Sequence, residues 1–246
     1  LTATLDAAYD SGKQGDYITN IKVPKFTGNA TAGAKVRLTI GNESFSTLAD
    51  KVTGNWEIQV KELAEGNCQY LVTAEHPING QTKDISGNIF IDTTAPVPTI
   101  ELSTETDTGT KGNFITAHRK PVFTGKGEPR SEITLELNNE SVSTVVDNNG
   151  FWSLSLPNEL PKDFIGDYKV TVTDTANNQF ETIDTLTINS SKPEIIDAAL
   201  ASPWKRGYHH GDKSTNDLEA TFTGKVTPGS SLQFKFRLSK KDEQHR

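Results

Sequence analysis

Apolar and polar residues alternate along this chain in short runs, and the runs come back at a regular interval. Between residues 99 and 188 the alternation marks seven segments: Thr99–Leu102, Lys120–Gly127, Glu132–Leu137, Ser141–Val146, Phe151–Leu156, Tyr168–Thr173 and Thr182–Ile188. A period of two sends successive side chains to opposite faces, so each run predicts a strand with one buried face and one wet face. Gly109, Gly112, Asn138-Asn139, Asn148-Asn149-Gly150 and Asn177-Asn178 separate the runs. Glycine and asparagine are the residues that most readily take the left-handed conformations of tight turns. Sustained helical spacing is absent, and no apolar run approaches the ~20 residues of a membrane-spanning helix.

The interval is readable residue by residue. The segment Leu5-Asp-Ala-Ala-Tyr-Asp-Ser-Gly-Lys-Gln-Gly-Asp-Tyr-Ile-Thr19 returns as Leu102-Ser-Thr-Glu-Thr-Asp-Thr-Gly-Thr-Lys-Gly-Asn-Phe-Ile-Thr116, an offset of 97 residues. At that offset Pro24, Phe26, Thr27 and Gly28 meet Pro121, Phe123, Thr124 and Gly125, and further on Trp56 meets Trp152 and Tyr70 meets Tyr168. Asp92-Thr93-Thr94-Ala95-Pro96 is answered by Asn189-Ser190-Ser191-Lys192-Pro193. A third unit opens near Glu194, with Gly211-Asp212 ahead of Phe222-Thr223-Gly224 as Gly15-Asp16 stands ahead of Phe26-Thr27-Gly28. The repeats are therefore placed at residues 1–95, 96–192 and, incomplete, 193–246. Seven short strands in under a hundred residues fit an all-β, immunoglobulin-like Greek-key sandwich, here in tandem and strung as an elongated rod. Half a sandwich exposes strand edges and an apolar face, so the third unit is expected to depend on a neighbour.

Composition narrows the functional classes. The net charge of -7 comes from 32 acidic and 25 basic residues without a basic stripe, which argues against nucleic acid or anionic lipid as a partner. Cys68 is the single cysteine. No intrachain disulfide is possible; Cys68 reads as a small apolar strand residue, and the sheets must be pinned by packing alone. Methionine is absent even at position 1, so the sequence is expected to be an internal piece or a processed product. Trp56 and Trp152 open strands after glycine turns, and Tyr70 and Tyr168 open the sixth strand, where a tyrosine corner is common. All four are read as structural.

The loop Asp10-Ser-Gly-x-x-Gly-Asp16 carries the candidate chemistry. Gly12 and Gly15 permit tight turns with positive φ that draw Asp10 and Asp16 together. The first strand and the last strand should both end at the bottom of the first sandwich, bringing Asp92 to the same place. Glu128 and the Asp174–Asn177 loop, at the top of the second sandwich, face that junction. A single aspartate–glycine loop is adequately explained by turn capping. Several carboxylates meeting at a seam repel one another without a cation, and calcium takes 6–8 oxygen ligands of this kind. Calcium is expected at the first junction. At the second, Asp107 is retained while Asn113 and Asn189 are neutral, so a weaker site or none is expected. In the third unit Arg206 replaces the first aspartate and only Asp212 remains.

Taken together, Asp-Ser-Gly-x-x-Gly-Asp-x-Ile-Thr, Pro-x-Phe-Thr-Gly, Gly-Asn-Trp and Asp-Thr-Thr-Ala-Pro resemble the bacterial Ig-like repeats of giant type-I-secreted adhesins. The giant non-fimbrial adhesin of Salmonella and the large biofilm-associated proteins are the families in view. The resemblance covers both full repeats and the start of the third. It implies many such repeats in a secreted, surface-bound virulence protein, calcium at domain junctions, neighbouring repeats as partners, and adhesion to host cells or matrix through a glycan or receptor. The acidic loop of the family maps to Asp10 and Asp16, its linker acid to Asp92, and in the second repeat only Asp107 keeps the carboxylate.

Enzyme signatures are missing: no nucleophile elbow, phosphate loop, paired-cysteine site or His-Glu-x-x-His segment occurs. His209-His210 lacks a third ligand, and His76, His118 and His245 are scattered. A non-catalytic stalk segment is the leading expectation. Two alternatives stand beside it: a receptor- or glycan-binding module using Trp204 and Tyr208, and an accessory module of a secreted hydrolase.

Overall fold

The computed structural model describes residues 1–200 and 221–235. Trp204, Arg206, Tyr208, His209, His210, Asp212 and His245, named above, lie outside the described residues. The chain divides into one unit over Leu1–Ser190 and another over Ser191–Arg246. Among the described residues the structure is all-β, with one short 3-10 turn at Ala7–Tyr9. No helix there is long and apolar enough to cross a membrane.

The first unit holds two sandwiches of one design. In the first, β1 (Thr4–Leu5), β2 (Ile18–Thr19), β3 (Lys25–Asn29), β4 (Lys35–Ile40), β5 (Glu43–Leu48), β6 (Asn55–Gln59), β7 (Gly66–Glu75) and β8 (Thr82–Ile91) follow in order. They form a three-stranded sheet β1-β3-β6 facing a five-stranded sheet β2-β8-β7-β4-β5. The second repeats it with β9 (Glu101–Leu102), β10 (Ile115–Thr116), β11 (Phe123–Lys126), β12 (Glu132–Leu137), β13 (Glu140–Val145), β14 (Phe151–Leu154), β15 (Ile165–Thr173) and β16 (Gln179–Ile188). Its sheets are β14-β11-β9 and β10-β16-β15-β12-β13.

All seven strands read from the alternation are present. The eighth, β10, has two residues and pairs parallel to β16, Ile115 opposite Thr187, as β2 pairs with β8. Such a strand is too short to show a period. It exists because the chain leaves β9 in one sheet, loops across the open end of the sandwich and enters the other sheet. Positive φ at Tyr17 (61°) and Phe114 (54°) makes the re-entry turn. The loop that crosses is residues 10–16 in the first sandwich and 107–113 in the second, so the topology itself puts the acidic loop at a pole.

Packing does the work of the absent disulfide. Phe26 lies 4.9 Å from Tyr70, tilted at 58°, and Phe123 lies 5.1 Å from Tyr168 at 63°. Around these pairs Val36, Leu38, Ile40, Val72, Ile89 and Ile91, and in the second sandwich Ile133, Leu135, Val170, Val172 and Ile188, are fully buried. Truncating a leucine such as Leu38 or Leu135 to alanine in such a core costs about 2–5 kcal/mol. Tyr70 and Tyr168 stand in the middle of β7 and β15, inside these cores, because the strands begin upstream at Gly66 and Ile165. Cys68 is half-buried on β7, and burial raises its thiol above the ordinary value.

The second unit holds β17 (Ile195–Leu200) and β18 (Phe222–Val226), an antiparallel pair with a register shift between Ile195 and Asp197.

Candidate cation site at the seam of the first unit

The loop after β1 is built around Asp10. Its Oδ2 accepts a hydrogen bond from Gly15 N at 2.6 Å, closing a ring that Gly12 (φ +72°) and Gly15 (φ +88°) permit. Its carbonyl accepts from Gln14 Nε2. Thr19, buried on β2, fastens the loop from beneath by donating to Tyr9 O at 2.7 Å. The other carboxylate oxygen, Oδ1, is buried and has no hydrogen-bond partner, although Asp10 is only 3% exposed. Burial first, and the Asp16 charge with it, lifts Asp10 above the ordinary aspartate value against the pull of the Gly15 and, more weakly, the Tyr17 backbone N–H groups. A buried carboxylate oxygen without a partner is costly, and a cation or a proton relieves it.

The tip of this loop touches the second sandwich directly. Ser11 Oγ donates to Ala176 O at 2.6 Å and accepts from Asn20 N at 2.8 Å. Gly12 is pressed against the same segment: a Cβ on it would stand 2.2 Å from Thr175 O. On the far side of the contact Asn178 Nδ2 donates both to Asp92 O and to Asp174 Oδ2, each at 2.8 Å. Asp174, buried, takes Asn178 N on its Oδ1 at 2.8 Å. One asparagine thus ties the end of the first sandwich to the β15–β16 turn of the second. Lys13, Asp16, Arg130 and Asp174 line a shallow cleft beside the contact.

The carboxylates singled out from the sequence are distributed as follows. Asp92, Glu128 and Asp174 are electrostatic neighbours: partial desolvation first, then the charges of Asp92 and Asp174, hold Glu128 above its ordinary value, with Arg130 opposing. Asp16 accepts from Ile18 N and Asp92 from Thr94 N, both at 3.0 Å, so each also caps its own turn. Asp107 is not with them. It sits in the loop before β10, at the end of β16, a ten-residue strand or roughly 33 Å from the β15–β16 turn. There it repeats the Asp10 arrangement: Gly112 N donates to Oδ2 at 2.8 Å, and Oδ1 is buried without a partner, with the residue 4% exposed. Among the described residues no three carboxylate, imidazole or thiolate groups are gathered closely enough to hold one metal ion. The acids are seam neighbours rather than a closed shell. In chemistry they fit calcium, since every group is a hard oxygen donor and Asp10 keeps a buried oxygen unspent.

The Asp174–Asn177 loop is expected at this junction from the sequence, but no contact is assigned there to Ser11, Thr175 or Ala176, and Asn178 lies just outside the expected loop. Each of these contacts involves a backbone carbonyl, of Ala176, Thr175 or Asp92, for which sequence carries no signal. Asn178 resembled any turn asparagine.

Two equal sandwiches meeting loop to loop define a tandem module of immunoglobulin type. The model of the bacterial Ig-like domain family matches residues 1–93 and again 94–190, and the chain belongs to that family. No curated protein matches it. Among solved structures, it is similar to a Ca2+-stabilized adhesin with which an Antarctic bacterium binds ice, at 24% identity over 76% of this chain and 48% of that one, TM-score 0.34. It is also similar to a 1.5-MDa bacterial ice-binding adhesin, at 18% identity over 77% of this chain and 64% of that one, TM-score 0.39. The fibronectin(III)-like modules of Clostridium thermocellum CbhA match at 13% identity over 85% of this chain and 100% of theirs, TM-score 0.42. The chain spans 48% and 64% of the two adhesin structures.

Proposed function

We propose that this chain is a non-catalytic spacer segment of a secreted bacterial surface adhesin, in which calcium stiffens the seam between consecutive sandwiches. The parent protein, of the type represented by the giant non-fimbrial adhesin of Salmonella, is exported by type I secretion and binds a glycan or receptor on host cells. The observation that supports the reading is the seam itself. A loop carrying a buried aspartate with an unspent oxygen is docked, by Ser11 and Gly12, onto a turn flanked by Asp174, Glu128 and Asp92. Bound calcium would draw on Asp10, Asp16, Asp92, Glu128 and Asp174, adding to the positive charge that Lys13 and Arg130 bring to the seam. A corresponding but less acidic loop stands at Asp107, with Asn113 where Asp16 would be.

Thermal melting of the full chain, with calcium and with chelator, tests this. Calcium should raise the melting temperature of the first unit and narrow the range of angles between its sandwiches in solution scattering. A melting curve and scattering profile that calcium leaves untouched would dispose of the stiffening role.

A further inference from the structure

The loops that cross the poles of the two sandwiches are copies that differ in charge. Asp10-Ser-Gly-Lys-Gln-Gly-Asp16 and Asp107-Thr-Gly-Thr-Lys-Gly-Asn113 align residue for residue, so Lys111 stands where Gln14 stands and Asn113 where Asp16 stands. In both, the first aspartate is closed onto the second glycine, Gly15 N donating to Asp10 Oδ2 at 2.6 Å and Gly112 N to Asp107 Oδ2 at 2.8 Å. In both, Oδ1 of that aspartate is buried without a hydrogen-bond partner, in a residue 3% or 4% exposed. In both, the threonine beneath, Thr19 or Thr116, donates to a carbonyl at the start of the loop, that of Tyr9 or Thr106.

The fifth position of the loop separates them. Gln14 Nε2 donates to the Asp10 carbonyl. Lys111 Nζ donates to the matching Asp107 carbonyl and also to that of Thr104, at 3.1 Å. The second loop thus folds its own ammonium back onto two main-chain oxygens, one of them in the residue whose carboxylate oxygen is unspent. An ammonium carries a unit charge and three N–H donors, and it has no acceptor. Calcium is wrapped by 6–8 oxygens, main-chain carbonyls among them. Like charges a few ångströms apart repel, so a metal ion takes the carbonyls of Thr104 and Asp107 only after Lys111 has left them. At the first pole the same position carries a neutral amide, which yields to a metal ion without charge repulsion.

We propose that Lys111 is the resident cation of the second crossing loop, filling with its ammonium the place that calcium takes in the first. The residue at this position, glutamine or lysine, then decides whether a sandwich of this design draws on metal. The proposal rests on the calcium reading of the first seam. One stretch of chain carries a calcium-dependent loop and a calcium-independent one.

Two exchanges in the full chain test it, with amide hydrogen exchange and thermal melting read in chelator and at millimolar calcium. Lys111→Gln gives the second loop the residue of the first: it keeps a donor for the Asp107 carbonyl and removes the charge. Exchange at the Gly112 amide, which reports closure on Asp107, should quicken about tenfold in chelator. Calcium should slow it again, and in the parent chain should leave this amide unchanged. Gln14→Lys should do the reverse, raising the melting temperature of the first sandwich in chelator and removing most of its calcium-dependent shift. Unchanged Gly112 exchange in Lys111→Gln overturns the proposal. So does quickening that calcium fails to reverse, since the lysine is then a hydrogen-bond donor alone. A Gln14→Lys chain that keeps the full calcium shift of the parent overturns it too. Failure of the calcium reading shows separately, as a parent chain whose melting ignores calcium, and the chelator arm of Lys111→Gln still decides whether the ammonium closes the second loop.

Discussion

Tyr70 and Tyr168 are polar residues placed where the cores are tightest. Each stands at the middle of a long strand, against Phe26 or Phe123, where the phenolate is poorly solvated. Burial, the leading cause, pushes the Tyr70 hydroxyl up to about 12, and burial raises that of Tyr168 as well. An acid whose value is raised on folding contributes stability that is complete below its unfolded value, here 10.0, and is lost as pH rises through the folded one. The expected outcome is alkaline unfolding of both sandwiches above pH 10, with two tyrosines ionising only as the fold opens. An ultraviolet titration run beside circular dichroism checks it. Tyr70→Phe should flatten the dependence of the first sandwich on pH in this window.

The crossing loop is an element whose composition was legible and whose geometry was not. Its glycines announced tight turns, and Gly12 and Gly15 do take positive φ. That Gly12 has a second reason to lack a side chain, the carbonyl of Thr175, depends on a residue 163 positions away. Gly12→Ala adds the left-handed cost of roughly 1–2 kcal/mol and also displaces the seam. Gly33→Ala is the control, since Gly33 has φ +75° but nothing within 4 Å of its Cβ position. The expected result is that both lower the melting temperature of the first sandwich, while only Gly12→Ala abolishes nuclear Overhauser contacts between Ser11 and Ala176. Equal effects on those contacts would refute a docking role for Gly12.

At the scale of the molecule, the same loop stands at two poles, and its neighbours differ. Asp10 and Asp107 share a bond to a loop glycine and a buried oxygen without a partner. Among the described residues it is the Asp10 loop that is docked on another sandwich, at Thr175 and Ala176. Asp10→Asn should therefore remove most of the calcium-dependent shift in melting that the proposed function requires, and Asp107→Asn should leave the seam response intact. Calorimetric titration of both variants beside the parent chain separates them. Loss of the response in Asp107→Asn alone would move the site to the other pole.

What the sequence by itself determined is the part governed by local periodicity. Alternation marked the seven strands of the second sandwich, the 97-residue offset showed two sandwiches of one design, and the single cysteine required that packing hold the sheets. These follow from which face of a strand water can reach, and the pattern within a run records that. Tertiary structure alone decided the rest. The two-residue parallel strands β2 and β10 exist only because their partners β8 and β16 are already in place. Which acids come close enough to interact, Asp92 and Asp174 beside Glu128, was settled by the approach of separate loops. The seam is made by carbonyls and one asparagine, groups whose partners are chosen by approach in space, and composition leaves no trace of that choice.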